Sequence, residues 1–218
     1  MVKRAIVAGA GGLVGGELIK VLLASAGSEE VMILVRKELP IEHPRLTQLL
    51  VDFNRLDDYS DAIKGNAVFC CLGSTRKKTP GLNEYRKVDH DYPLQLALIA
   101  LGNDVKQYHL VSAIGADAES SNFYTKMKGE TEQDIIKLGL PALHIYRPSL
   151  LTGNRKEWRP MEGFFAGLMK VIDPLLFGSV KKYRSIAAAT VAEAMYNQSL
   201  NNEGGVHIYP SDKIKELA

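Results

Sequence analysis

The chain has little of what marks a secreted, membrane or nucleic-acid-binding protein. Its only cysteines, Cys70 and Cys71, are adjacent, so a disulfide between them would be strained and would staple nothing. The formal net charge of +2 gives no electrostatic reason to expect nucleic acid as a partner. No apolar run is long enough to span a bilayer. We therefore expect reduced thiols, a cytoplasmic location and no membrane partner.

Two kinds of catalytic site are also missing. The five histidines lie far apart without paired ligand spacing, so we expect no metal site. No G-x-S-x-G motif occurs, which argues against a serine hydrolase. A length of 218 residues suits one α/β domain, residues 1–218. We therefore expect the protein to act on a small molecule.

The most informative motif that is present is a glycine-rich turn near the start of the chain. The apolar run Ala5–Ala8 is typical of a buried parallel strand, and leucines at helical spacing follow from Leu13. A turn without side chains at this junction lets backbone N–H groups approach a pyrophosphate. The residues predicted to contact a dinucleotide here are Gly9, Gly11, Gly12, Leu13, Val14 and Gly15.

Strand and helix patterns alternate after this turn. Strands are predicted at 31–35, 46–53, 67–72, 108–111 and 142–146, and helices at 56–63, 85–101, 122–138, 163–176 and 187–200. The order predicts an α/β fold with a doubly wound, mainly parallel sheet of the Rossmann type. Regular alternation fades after Pro148, so residues 149–218 are expected to form a short C-terminal segment that covers the substrate side of the cleft.

Three residues in the second half of the chain form a candidate reduction site. Tyr124 and Lys128 lie four residues apart on one face of a predicted helix, and Ser112 ends the preceding strand. An ammonium beside a phenol favours the phenolate, so Tyr124 is predicted to donate a proton to a substrate carbonyl oxygen. Ser112 would polarise that oxygen, and Lys128 would also hold the cofactor ribose.

The end of the second strand indicates which cofactor is bound. NAD enzymes usually place an acidic residue there, whereas this chain has Arg36, whose guanidinium can hold a 2′-phosphate. NADP(H) is therefore favoured over NAD(H). Weaker predictions place the adenine amine near Asp52 and the cofactor against the end of the fourth strand. The residues of that strand end are Cys71, Leu72 and Gly73.

These motifs resemble those of the short-chain dehydrogenase/reductase family along nearly the whole chain. The segments 69–76, 88–92, 120–124 and 146–148 are similar to its atypical, Tat-interactive-protein-like branch. The resemblance implies NADP(H) binding, a triad of Ser112, Tyr124 and Lys128, and a position near the nicotinamide for Arg147. It also implies protein partners. Asp89 stands where catalytic relatives often have Asn, and Gly11 where many relatives with an extended substrate domain have Thr.

The leading hypothesis is NADPH-dependent reduction of a small carbonyl compound by hydride transfer. A non-catalytic NADP(H) sensor acting through protein partners is one alternative. A flavin or biliverdin-type reductase, which needs no tyrosine acid, is another. A sugar-nucleotide epimerase is disfavoured because the residues after Pro148 are too few for the larger C-terminal domain of such enzymes. A homodimer or another protein partner remains open.

Overall fold

The fold is built on a parallel sheet. The computed structural model describes residues 2–74, 79, 81–153 and 183–218. The strands are Val2–Ala8 (β1), Ser28–Val35 (β2), Leu46–Leu50 (β3), Ala67–Cys70 (β4), Gln107–Val111 (β5), Ala142–Arg147 (β6), Leu151–Thr152 (β7), Ile186–Ala187 (β8) and Gly205–Pro210 (β9). Seven of them form the sheet β3-β2-β1-β4-β5-β6-β9 with every neighbouring pair parallel, and β7 pairs with β8 separately.

Helices connect the strands and lie on both faces of the sheet. The α-helices are Leu13–Ala24 (α1), Leu82–Arg86 (α2), Tyr92–Gly102 (α3), Phe123–Lys137 (α4), Ala188–Ser199 (α5) and Ser211–Leu217 (α6). A 3₁₀ helix covers Phe53–Ala62, and a π-helix, Lys87–Asp91, joins α2 directly to α3. The order confirms the predicted doubly wound α/β architecture.

Each face of the sheet has its own apolar core. On one face, residues such as Leu18 of α1 and Val191 of α5 pack against β1, β2 and β4. On the other face, residues such as Leu96 of α3 and Ile135 of α4 pack with the 3₁₀ helix. A sheet that is buried on both faces needs continuous apolar strands, which is why these strands could be recognised in the sequence.

Several predicted boundaries differ from the structure. The third strand was predicted at 46–53 but ends at Leu50, because Asp52 caps the 3₁₀ helix and accepts a hydrogen bond from the Asn54 backbone N–H. The fourth strand was predicted to reach residue 72 and ends at Cys70. The helix predicted at 85–101 is the longer run 82–102. The helix predicted at 163–176 lies outside the described residues.

The C-terminal residues contribute to the sheet itself. Helix α5 packs against α1, and β9 pairs with β6 as the edge strand. The sequence did not predict β9, because most of its residues are exposed and its apolar residues form no buried run. Residues 154–182, which belong to the segment predicted to line the substrate side, lie outside the described residues.

Candidate active site

The glycine-rich turn connects β1 to α1 through close backbone contacts. Gly9 has φ +87°, a conformation that L side chains rarely adopt, and a Cβ there would overlap the carbonyl oxygen of Cys71. A Cβ at Gly15 would overlap the Gly9 carbonyl oxygen, so only glycine lets α1 lie this close to the turn. These two positions fix the first turn of α1 at the carboxyl edge of the sheet.

The N-terminus of α1 is suited to an anionic group. Gly12 occupies the N-cap position in extended conformation, and no side chain caps the helix there. The first-turn N–H groups therefore point toward a surface where Gly11 and Gly12 are exposed. Leu13 is partly buried and Val14 is buried, so only their backbones could serve a ligand. The turn thus fits the pyrophosphate of a dinucleotide.

The ends of β2 and β3 bring the next predicted residues into one neighbourhood. Arg36 follows β2 and is exposed, and Asp52 is exposed beyond β3. Both side chains are close enough to Tyr92 of α3 to change its pKa. Burial raises the pKa of Tyr92, the negative charge of Asp52 raises it further, and the positive charge of Arg36 lowers it. The pKa of Asp52 is lowered, first by the hydrogen bond from the Asn54 backbone. Arg36 and Asp52 therefore place one positive and one negative charge at the carboxyl ends of β2 and β3.

The end of β4 runs beside the glycine-rich turn. The Cys71 N–H donates to the Ala8 carbonyl at 2.8 Å, which continues the β1–β4 pairing by one residue. Burial raises the pKa of the Cys71 thiol, which disfavours the thiolate that would act as a nucleophile. Leu72 is partly buried and Gly73 is exposed, which leaves backbone accessible at this strand end.

Lys128 has a buried partner that the sequence did not assign to it. Its Nζ lies 2.8 Å from Oδ1 of Asp89, and the two residues are 5% and 1% exposed. Burial acts to lower the pKa of Lys128, but attraction to Asp89 and to Tyr124 outweighs burial and raises it. The second Asp89 oxygen accepts from the Ser74 N–H at 2.7 Å. Lys128 is therefore held as an ammonium ion by this carboxylate.

The π-helix explains how Asp89 reaches α4. Its widened turn allows the consecutive residues Asp89 and His90 both to be buried against α4. The His90 ring lies 3.1 Å from the Asp134 carboxylate, and the Thr131 hydroxyl lies 3.1 Å from the Asp89 carbonyl oxygen. Both contacts anchor the π-helix to the helix that carries Lys128.

Tyr124 lies one turn before Lys128, as the spacing predicted. Helix α4 begins after Asn122, whose side chain accepts from the backbone N–H groups of Tyr124 at 2.9 Å and Thr125 at 3.2 Å. The Tyr124 side chain is accessible, with the residue 40% exposed. It is close enough to Lys128 to contribute to the electrostatic rise in the pKa of that lysine. A phenol is thus presented to solvent beside a buried ammonium.

Ser112 is placed at the end of β5 and is engaged by a buried carboxylate. Its N–H donates to the Tyr146 carbonyl at 2.7 Å, and its hydroxyl donates to Oε1 of Glu132. Glu132 also accepts from Arg147, with Nε at 3.0 and 3.1 Å from its two oxygens. Arg147, predicted near the nicotinamide, therefore directs its guanidinium to Glu132.

Glu132 was missed by the sequence analysis. The signal available was its spacing, because it lies four residues after Lys128 on the same helix. Among the described residues, no group of three or more His, Cys, Asp or Glu side chains could hold a metal ion. No helix within the described ranges is long and apolar enough to cross a membrane.

Comparison with known proteins identifies the family. Residues 9–157 match a family model described as NAD(P)H-binding. "Protein HTATIP2" of Rattus norvegicus is 34% identical over 207 residues, which cover 93% of this chain and 84% of that protein. "Protein FMP52-1, mitochondrial" of Scheffersomyces stipitis is 28% identical over 222 residues, covering 98% of this chain and 97% of that protein.

Solved structures show the same fold at lower identity. A UDP-N-acetylglucosamine 4-epimerase from Methanobrevibacter ruminantium M1 superposes with a TM-score of 0.72 at 19% identity, over 95% of this chain and 76% of that chain. WbmH of Bordetella bronchiseptica in complex with NAD+ gives 0.71 at 16% identity, over 98% and 78%. The matching family model and the HTATIP2 relative lead to one conclusion, with which the fold of these structures agrees: the chain belongs to the NAD(P)H-binding family.

Proposed function

We propose that this protein is an NADPH-dependent reductase of a small carbonyl compound, with Tyr124 as the proton donor. One observation carries the proposal: the accessible phenol of Tyr124 lies one helical turn from Lys128, which the buried Asp89 keeps charged. A charged ammonium beside a phenol stabilises the phenolate that remains after proton transfer. The uncapped start of α1 supplies a pyrophosphate site at the same edge of the sheet.

Each residue then has a defined task. NADPH, when bound, supplies the hydride to the carbonyl carbon. Tyr124 gives its hydroxyl proton to the carbonyl oxygen, so an alcohol forms and a phenolate is left on the protein. Lys128 stabilises that phenolate and contacts the ribose, while Ser112 orients the reacting oxygen. Because Tyr124 is 40% exposed, it can recover its proton from solvent.

The first experiment measures NADPH consumption with a panel of aldehydes, ketones and quinones. Tyr124→Phe should lower kcat by about 10²-fold or more, the typical contribution of a general acid, and leave the Kd for NADPH unchanged. Tyr196→Phe, on α5 and outside the proposed site, is the matched control and should keep full activity. Undiminished turnover by Tyr124→Phe would exclude the proton-donor role and favour a flavin or biliverdin-type reductase.

We also propose that Arg36 gives the site its preference for NADP(H). Its guanidinium follows β2 at the place where an acidic side chain would hold the ribose hydroxyls of NAD. Arg36→Ala should weaken NADPH binding by about tenfold, equivalent to one charge-assisted hydrogen bond, and leave NADH binding almost unchanged. Fluorescence titration with both nucleotides measures the ratio, and equal losses for the two would refute the assignment.

A second function is favoured by one specific observation. The negative charge of Asp89 offsets the positive charge of the Lys128 ammonium, which reduces the attraction of that ammonium for a developing phenolate. A non-catalytic NADP(H) sensor would bind NADPH, reduce no carbonyl compound, and bind a protein partner differently with NADP+ and NADPH. The carbonyl panel together with partner binding in each nucleotide state separates the two functions.

We propose a reducing compartment, with the cytoplasm as the first choice. The adjacent thiols of Cys70 and Cys71 are both free in the structure. The fungal relatives bear the word mitochondrial in their names, so cell fractionation has two defined outcomes. A homodimer, the oligomeric state left open by the sequence, is tested by sedimentation equilibrium.

A further inference from the structure

The bond between Ser112 and Glu132 determines what the serine can offer to a substrate. Ser112 is 6% exposed and Glu132 is 2% exposed, so water does not compete strongly for either group. Oε1 of Glu132 is the partner of the Ser112 hydroxyl and also lies 3.0 Å from Nε of Arg147. The carboxylate is therefore bound from two sides, by the end of β5 and by the end of β6.

The direction of this hydrogen bond follows from its partners. Arg147 cannot accept a hydrogen bond, so every contact it makes to Glu132 uses a carboxylate oxygen as acceptor. A carboxylate that is paired with a guanidinium also accepts from Ser112. The proton in this bond consequently belongs to the serine. Ser112 has only one hydroxyl proton, and that proton points toward Glu132.

What remains on Ser112 is acceptor capacity. A carbonyl oxygen has no proton to donate, so Ser112 cannot polarise it while its own proton is bound to Glu132. We propose that Glu132, supported by Arg147, is a positioning residue that makes Ser112 a hydrogen-bond acceptor. This inference rests on the proposed reductase function. It assigns polarisation of the carbonyl to Tyr124 alone and gives Ser112 the task of accepting a hydrogen bond from the product alcohol.

As an acceptor, Ser112 has a different role in carbonyl reduction and in alcohol oxidation. A ketone or aldehyde gains nothing from an acceptor, whereas an alcohol hydroxyl can donate to Ser112 and be held for oxidation. Loss of Ser112 or Glu132 should therefore raise KM for an alcohol more than KM for the corresponding carbonyl compound. A residue that merely stabilises α4 would not separate the two substrates in this way.

A double-mutant cycle tests the coupling. Wild type, Ser112→Ala, Glu132→Gln and the double variant are compared by three quantities: KM for the carbonyl compound of the panel that wild type reduces fastest, KM for oxidation of the corresponding alcohol with NADP+, and the Kd for NADPH. Each single change should raise KM for the alcohol by about tenfold, close to the value of one hydrogen bond, and leave KM for the carbonyl compound nearly unchanged. The double variant should also raise KM for the alcohol by about tenfold. The Kd for NADPH should stay the same in all four proteins.

Controls make each outcome decisive. Glu130→Gln, on the same helix but paired with Arg86 at the surface, should keep the wild-type KM for both substrates. If Glu132→Gln does not fold, Glu132→Asp replaces it, because it keeps the carboxylate but shortens its reach toward Ser112 by one methylene. Increases in KM for the alcohol that multiply to about a hundredfold in the double variant, or an unchanged KM for the alcohol in the Glu132 variants, would overturn the inference alone. A folded wild type that binds NADPH and reduces no compound of the carbonyl panel would overturn the reductase function as well.

Discussion

Replacement of Asp89 by asparagine should destabilise the protein strongly at neutral pH. The substitution keeps the shape of the side chain but leaves the Lys128 ammonium, 5% exposed, without a counter-charge at 2.8 Å. Removal of one partner of a buried ion pair costs about 3–5 kcal/mol. Asn can still accept one hydrogen bond, from Lys128 or from the Ser74 N–H, so we expect the lower end, about 3 kcal/mol. In a chain of this size that lowers Tm by roughly 6–12 °C.

The pH dependence of this loss has a definite sign. The pKa of Lys128 is raised in the folded state above its ordinary value of 10.5, so its stabilising contribution is complete below pH 10.5 and is lost at higher pH. In Asp89→Asn the main counter-charge is gone, and burial then lowers the pKa of Lys128. The variant therefore gains stability as the pH rises toward 10.5. The difference between the two proteins is largest near neutrality and shrinks as the solution becomes alkaline.

Urea denaturation followed by circular dichroism between pH 6 and pH 10 measures this difference. Asp61→Asn is the matched control, because Asp61 pairs with Lys64 but its side chain is fully exposed, and it should not change the urea midpoint. A loss in Asp89→Asn that does not exceed that of the control, or one that grows with pH, would refute the buried-pair argument.

Three further predictions concern the glycine-rich turn, the end of α1 and a buried histidine. Gly9→Ala should cost about 2 kcal/mol or more and weaken NADPH binding, because φ is +87° and the new Cβ overlaps the Cys71 carbonyl. Gly102→Ala, at the end of α3, is the control in thermal melts and NADPH titrations, because a Cβ there meets no atom within 4 Å. Arg45→Ala should lower the free energy of unfolding by about 2 kcal/mol in urea denaturation. The Arg45 guanidinium binds backbone carbonyls at and after the end of α1, including that of Ser25 at 2.8 Å. An unchanged urea midpoint would contradict this prediction. His144 stacks between two histidine rings, and burial lowers its pKa to about 4. The stability of the wild-type protein should therefore fall as the pH drops from 6.5 to 4, because the buried ring must take up a proton. The stability of His144→Leu should fall less over the same range.

The glycine-rich turn of the proposed cofactor site could be predicted from sequence because its signals are local. A run of small residues between an apolar strand and a helix needs no distant partner to be recognised, and the structure puts Gly9 and Gly15 in close backbone contact. The end of β2 is also a local signal, since an apolar run stops at Val35 and a cation follows. These features are set by the order of residues along one βαβ unit.

The partners of the proposed catalytic residues could not be predicted in the same way. Asp89 faces Lys128 because a π-helix widens the turn before α3, and no periodicity rule anticipates that register. Glu132 contacts Ser112 and Arg147 only because the neighbouring strands β5 and β6 end at the same place in the fold. Long-range pairing of this kind is decided by the tertiary fold, so the sequence could supply candidate residues but not their contacts.

The arrangement around α4 suggests why these polar groups are buried at all. Lys128 and Glu132 each bind a buried or strand-end partner on another element, and a Cβ at Gly129 would overlap the backbone N–H of Ala118, so the helix lies directly on the preceding loop. A slip of α4 by one residue would break both ion pairs and leave two charges unpaired. Buried pairs contribute little net stability compared with apolar packing, but they penalise wrong registers heavily. The position of the exposed Tyr124 phenol is therefore determined by its two buried neighbours on the same helix face.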